Sequence, residues 1–257
     1  MSDLPLVDAR IVLRDRPLSD VLDLAVRFTA VEGRSYAKVA AASLAPLALT
    51  ALVAGRVLGG HAGLLVAVPL AGLAEVPFTV LASRLVFAER ARVRDVLLAA
   101  LRDLPRLVLV RALAALLVAI GLALVLVPGA WLAATSLFVG EVSLLERARP
   151  AVAFGRAQRL AVSSTSEVLL GAMVLGILPL LAALLADVAG RALLGEVFLF
   201  RPPPPVWSME APGTALATIG LFVQAPYLAT ARFLLYLNVR TRVEGWDIQT
   251  RFAAIAA

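Results

Sequence analysis

Five polar side chains stand in stretches that are otherwise apolar: Glu75, Arg111, Glu141, Gln224 and Arg232. Carboxylates at such positions can exchange protons or pair with guanidiniums, whose fixed fork of N–H donors suits carboxylate geometry. Within a bilayer an ionisable group is costly and faces a partner or a cavity. Two arrangements meet that condition. In the first, Glu75 or Glu141 pairs with Arg111 or Arg232 and locks a bundle, giving direct ionic contacts and a filled centre. In the second, Glu75 and Gln224 flank a polar path for an ion, a proton or an amphiphile, giving a wet cavity that reaches Glu75. Glu141 lies six residues before Arg147 and is close enough to a basic loop to reach the membrane interface instead.

Other residue types that carry chemistry lack partners. The sole histidine, His61, sits beside Gly59 and Gly60, and a metal site needs convergent ligands. Ser163, Ser164 and Ser166 have no neighbouring base to activate them, and the pattern Ser164-Thr165-Ser166-Glu167 is that of a helix capping box. The glycines of Gly59-Gly60-His61-Ala62-Gly63 come without the lysine of a phosphate loop. Cysteine is absent, which excludes disulfides and thiolate chemistry. Neither a cofactor nor catalysis is expected.

The elements that must position the five residues are membrane helices. The chain is 61% hydrophobic with mean hydropathy +0.92, well above the roughly 45–50% apolar share of soluble domains. The net charge of +6 raises the question of nucleic acid, but no basic stripe interleaved with aromatics supports it. Basic loops beside membrane helices and anionic lipids account for the charge. We expect an all-α, polytopic integral membrane protein in one domain over 1–257. It comprises a cytoplasmic amphipathic segment (1–38), a six-helix bundle (39–237) and a cytoplasmic tail (238–257).

The clearest hairpin lies between Arg111 and Glu141, where Ala112 to Gly140 contains no charged residue and Pro128-Gly129 marks the turn. The first span is expected over Val39–Leu58, with Gly59-Gly60-His61 as the outer turn. The second covers Leu64–Val86, bent at Pro69 and Pro77, with Glu75 roughly 13 Å along the helix from Arg84. The fifth runs from Thr165 to Ala189 with a kink at Pro179. An outer loop follows through Pro202 to Pro205, and the sixth span is Ala215–Leu237, kinked at Pro226. No apolar run follows a short charged tip, so a cleavable secretory signal is not expected.

Three amphipathic helices are expected on the basic side. The first is capped by Ser19, with Leu18, Val21, Leu22, Ala25 and Phe28 on one face. The second is Glu89–Leu104, lying on the surface as a separate helix. In the third, Arg149–Val162, Arg156 and Arg159 are offset from Val152, Phe154, Leu160 and Val162. This arrangement puts 21 of the 24 Lys and Arg on one side, leaving Arg56, Arg191 and Arg201 on the other. That side is expected to be the cytoplasm, with both termini there.

Val68–Arg92 resembles Val127–Arg149, and Glu75-Val-Pro77-Phe78 resembles Gln224-Ala-Pro226-Tyr227, which suggests three successive hairpins. RPLSDVLDLAVRF (Arg16–Phe28), the VPG turn (Val127–Gly129), EVSLLERARPAVAFGRAQRL (Glu141–Leu160) and VRTRVEGWD (Val239–Asp247) occur in an order found in a bacterial family. The chain resembles the six-helix membrane domain of glycerophosphoryl diester phosphodiesterases and related uncharacterised proteins. It departs from them at Ala153–Arg159, where Gly155 and Gln158 stand. The resemblance implies a membrane domain without the soluble catalytic barrel, whose paired histidines and metal-binding carboxylates are missing. The location it implies is the bacterial inner (plasma) membrane. The function expected is that of a non-catalytic scaffold or subunit of an envelope assembly, in contact with membrane lipids and another membrane or envelope protein. The alternative is a small permease or lipid-handling protein with a polar path near Glu75 and Gln224, and an intramembrane enzyme is the third reading weighed.

Overall fold

The computed structural model describes residues 16–87, 91–208 and 213–244. Arg10 and Arg14, the start of the Glu89–Leu104 segment and the tail from Gly245 onward lie outside the described residues. Among those described there is no strand. The helices are α1 (Leu18–Val31), α2 (Gly33–Leu58), α3 (Gly60–Ala74), α4 (Val76–Phe87), α5 (Val93–Leu124) and α6 (Leu126–Ser136). They continue as α7 (Val139–Leu145), α8 (Pro150–Ser163), α9 (Thr165–Ala192), α10 (Ala215–Val223) and α11 (Ala225–Glu244). Among the described residues six helical segments are long and apolar enough to cross a membrane, and the chain is a multi-pass membrane protein.

The spans pair as α2 with α3–α4, α5 with α6–α7, and α9 with α10–α11, giving three hairpins in chain order. Within each pair the two members have different surroundings. Only 17% of the apolar window of each first helix is buried, against 56%, 50% and 67% for the second helices. The second helices therefore form the inside of the bundle. The first helices turn Leu49, Val53, Leu116, Leu117, Leu181 and Leu185 outward, and an apolar surface of that extent needs lipid rather than water.

The turns are tighter than the sequence suggests. Gly59 alone separates α2 from α3, with φ +75°, a conformation glycine adopts without steric cost. Val125 alone separates α5 from α6 in extended geometry. Pro128-Gly129 is thus not the turn but part of the first turn of α6, where a missing N–H costs nothing. Gly129 serves packing instead, since a Cβ there would stand 2.6 Å from the Leu122 Cα. Gly63 does the same for the first hairpin, its would-be Cβ lying 2.5 Å from the Gly55 Cα. Close backbone approach through small residues is how helices pack where lipid removes the hydrophobic drive.

Several amphipathic readings need correction. α1 starts at Leu18 after Pro17, so Ser19 lies inside the first turn and its hydroxyl reaches only Asp20. Its apolar face does bury Val21 and Ala25, packing on α11. The second segment is not a separate helix. α5 runs unbroken through Pro105 for 32 residues, about 48 Å at 1.5 Å per residue, and so exceeds the hydrocarbon core. α8 buries Ala153, Ala157, Leu160 and Ala161 while Val152 and Val162 are exposed, because Arg156 turns inward to Glu146 at 2.7 Å.

α9 begins at Thr165 as the capping box implies, yet the box's hydrogen bonds are not made. Glu167 instead accepts from Asn238 Nδ2 at 2.8 Å and pairs with Arg242 at 2.7 Å. Those contacts carry the sixth span past Leu237 to Glu244, with Asn238 and Thr241 buried, so the segment after Leu237 begins inside the bundle. Pro69 and Pro179 lie within continuous helix.

Candidate functional site

All three inner helices are interrupted partway through the bundle. Pro77 has no N–H for the Leu73 carbonyl, and its ring crowds that carbonyl. α3 accordingly stops at Ala74, and α4 starts at Val76 with Glu75 at the break. Pro226 acts likewise on Phe222, leaving Gln224 between α10 and α11. The break between α6 and α7 at Leu137–Phe138 has no proline. There the Ser136 hydroxyl donates to the Leu132 carbonyl at 2.7 Å and Thr135 donates to it at 3.2 Å, a competition with the helix ladder that bends helices.

The interruptions bring the five expected residues to one place. Arg232 of α11 is inserted between two carboxylates, its Nε donating to Glu141 Oε1 at 2.6 Å and its Nη2 to Glu75 Oε2. Arg111 of α5 donates from Nη1 to the Gly72 carbonyl and reaches the same Glu75 oxygen from Nη2 at 3.5 Å. Glu75 therefore bridges two guanidiniums, and the ionic layer ties together all three hairpins. Glu141 is only 1% exposed and does not reach the interface. Removing one member of such a buried set strands its partner, at a cost of roughly 3–5 kcal/mol.

The layer does not fill the centre. Beside it lies a cavity of about 340 Å³, lined by Glu75, Arg111, Glu141, Gln224 and Arg232 together with apolar residues including Val68, Leu175, Leu221 and Leu228. That volume is near the lower bound of small-ligand sites, roughly 300 Å³. Gln224 contributes its side chain to the wall. The ionic pairs and the cavity, which the sequence presents as alternatives, thus occur together.

Other polar groups join at the edges. Arg106, one turn and a half before Arg111, donates from Nε to Ser143 Oγ at 3.1 Å, and its Nη2 is buried without a partner. Its place among loop arginines in the sequence hides this role. Farther along α11, Tyr236 donates to Glu146 Oε1 at 2.6 Å, and Arg240 approaches the same oxygen at 3.6 Å. At the opposite end, Asp187 is fully buried and accepts from the Val206 N–H at 3.3 Å, while Arg191 donates to the Pro203 carbonyl at 2.7 Å. These two residues fasten the proline loop to α9.

His61 lies exposed in the first turn of α3, and Ser163 donates to the Leu160 carbonyl at 2.8 Å. Among the described residues no three His, Cys, Asp or Glu side chains converge as metal ligands. No protein-family model, curated protein or solved structure matches the chain.

Proposed function

We propose that this multi-pass membrane protein is a small permease or lipid-handling protein that admits a polar or amphiphilic solute to its mid-bundle cavity and performs no covalent chemistry on it. The observation that carries this reading is the cavity of about 340 Å³ reaching Glu75, Gln224 and both arginines. A scaffold has no need of internal space, and a purely structural ion-pair layer is most stable when packed solid. The interrupted inner helices support the same reading, because broken helices at membrane depth occur where backbone lines a cavity or is buried in protein.

The excess of Lys and Arg at the end of the bundle holding α1, α8 and the α11 terminus supports placing that end in the cytoplasm of a bacterial cell. The motif likeness to phosphodiesterase membrane domains belongs to the same proposal, as a likeness of the membrane-spanning part.

Ser136 lines the cavity, whereas neighbouring Ala134 is 2% exposed. In the naturally cysteine-free chain, Ser136→Cys in nanodiscs should react with a small neutral water-soluble thiol reagent at least about tenfold faster than Ala134→Cys, as access to a hydrated cavity requires. Equal, negligible reaction at both positions overturns the proposal in favour of a scaffold with a dry core.

A further inference from the structure

The four charged side chains of the layer balance formally, but they do not share the cavity equally. The guanidiniums are the groups left open, with side-chain exposures of 24% for Arg111 and 16% for Arg232, against 8% for Glu75 and 1% for Glu141. The carboxylates are the more enclosed members, Glu141 most of all. An incoming solute thus meets cationic N–H donors first, in surroundings of low dielectric where charge acts strongly.

Neutralisation by the carboxylates is also unequal. A guanidinium carries five N–H donors and no acceptor. Arg111 directs Nη1 to the Gly72 carbonyl, and its contact with Glu75 is long, at 3.5 Å. Arg232 is held by two carboxylates at once. Each guanidinium thus uses two N–H donors and keeps three, but Arg111 is the less neutralised cation, its one carboxylate contact being the long one. Two glycines lie against it, a Cβ at Gly140 standing 3.5 Å from its Nε and one at Gly72 3.8 Å from its Nη1, both ordinary contact distances. Larger side chains there would cover the guanidinium. Of the carboxylate oxygens, Glu141 Oε2 is buried without a partner, and Glu75 turns a single oxygen, Oε2, to both guanidiniums. The remaining wall is aliphatic, with Val68, Leu175, Leu221 and Leu228 around the polar end.

We infer that the cavity binds an oxyanion, a phosphate or carboxylate group, with Arg111 as its principal receptor, Arg232 and Gln224 completing the polar end, and the aliphatic wall taking a short apolar body attached to the anion. This rests on the cavity's being a solute chamber, as proposed above. It adds the charge and the shape of the solute. Bidentate pairing with a planar fork suits phosphate and carboxylate alike.

The test uses full-length Ser136→Cys protein in nanodiscs and measures how far probe molecules slow its labelling by the neutral reagent. Hexyl phosphate should slow labelling about fivefold or more at concentrations where hexanol and hexyltrimethylammonium have little effect, because only the anion completes charge-assisted hydrogen bonds. Inorganic phosphate identifies the source. Equal protection assigns a free anion, and protection by hexyl phosphate alone assigns the head of an amphiphile. Arg111→Gln should abolish the protection, and Arg111→Lys, which keeps the charge and guards against loss of fold, should retain part of it. Equal protection by the three hexyl compounds, or protection that survives Arg111→Gln, overturns the inference while leaving the chamber intact. Absence of labelling at Ser136→Cys refutes the chamber itself.

Discussion

Arg232 Nε lies 2.6 Å from Glu141 Oε1, joining positions 91 residues apart and welding the third hairpin to the second. The Glu141 carboxylate is almost wholly enclosed and its second oxygen has no partner, so the pair depends on its geometry. Arg232→Leu should lower stability by about 3–5 kcal/mol, because it leaves two carboxylates facing each other without their shared cation. Arg232→Leu combined with Glu141→Leu should recover part of that loss. Unfolding midpoints in mild detergent with graded denaturing surfactant measure both. Full additivity of the two single changes would show that the residues are not coupled.

The hairpins depend on backbone contact. Gly63 has the Gly55 backbone where a Cβ would go, and a Cβ on Gly220 would meet the Ala182 carbonyl and stand 2.7 Å from Ala186 Cβ. Gly63→Leu and Gly220→Leu should each destabilise the fold by at least about 1–3 kcal/mol through overpacking. Gly176 provides the contrast, being exposed on α9 with nothing within 4 Å of a Cβ. Gly176→Ala should be neutral or slightly stabilising in the same unfolding assay.

The spans and their pairing are legible in the sequence because they rest on long apolar runs and on where arginine is absent. The five site residues are legible for the same reason, as any charge or side-chain amide inside such a run has to be accommodated. Connections were less visible. Proline and glycine carry two meanings, so Pro128-Gly129 reads as a turn although its glycine serves a helix crossing and its proline a helix start. The interruption at Leu137–Phe138 has no proline to announce it. Arg106 and Glu167 look like loop and capping residues until the fold brings Ser143 and Asn238 beside them, contacts that depend on tertiary packing alone.

The prolines at the breaks act on shape more than on stability. Pro226→Ala gives α10–α11 back an N–H for the Phe222 carbonyl and favours a continuous helix through Gln224. Stability should change by no more than about 1 kcal/mol, since the gained hydrogen bond offsets lost packing. The cavity should narrow as Gln224 and Leu228 move, so thiol labelling of Ser136→Cys should fall severalfold when Pro226→Ala is added. Unchanged labelling would show that the break does not shape the cavity.

Orientation can be checked at the loop that Asp187 and Arg191 hold down. Arg201 is exposed beside the proline run, and Ser19 is exposed on α1 at the opposite end of the bundle. On the proposed orientation, which puts the arginine-rich end in the cytoplasm, Arg201→Cys should react with a membrane-impermeant maleimide in intact bacterial cells, and Ser19→Cys should react only after the cells are opened. The loop should also stay compact, because Arg191 donates to Pro203 and Asp187 accepts from Val206. Arg191→Ala should therefore speed proteolysis of the Phe198–Trp207 segment in right-side-out vesicles without changing the labelling pattern. The reverse pattern, Ser19→Cys labelled in intact cells and Arg201→Cys protected, would invert the protein in the membrane and turn the cavity's two ends around.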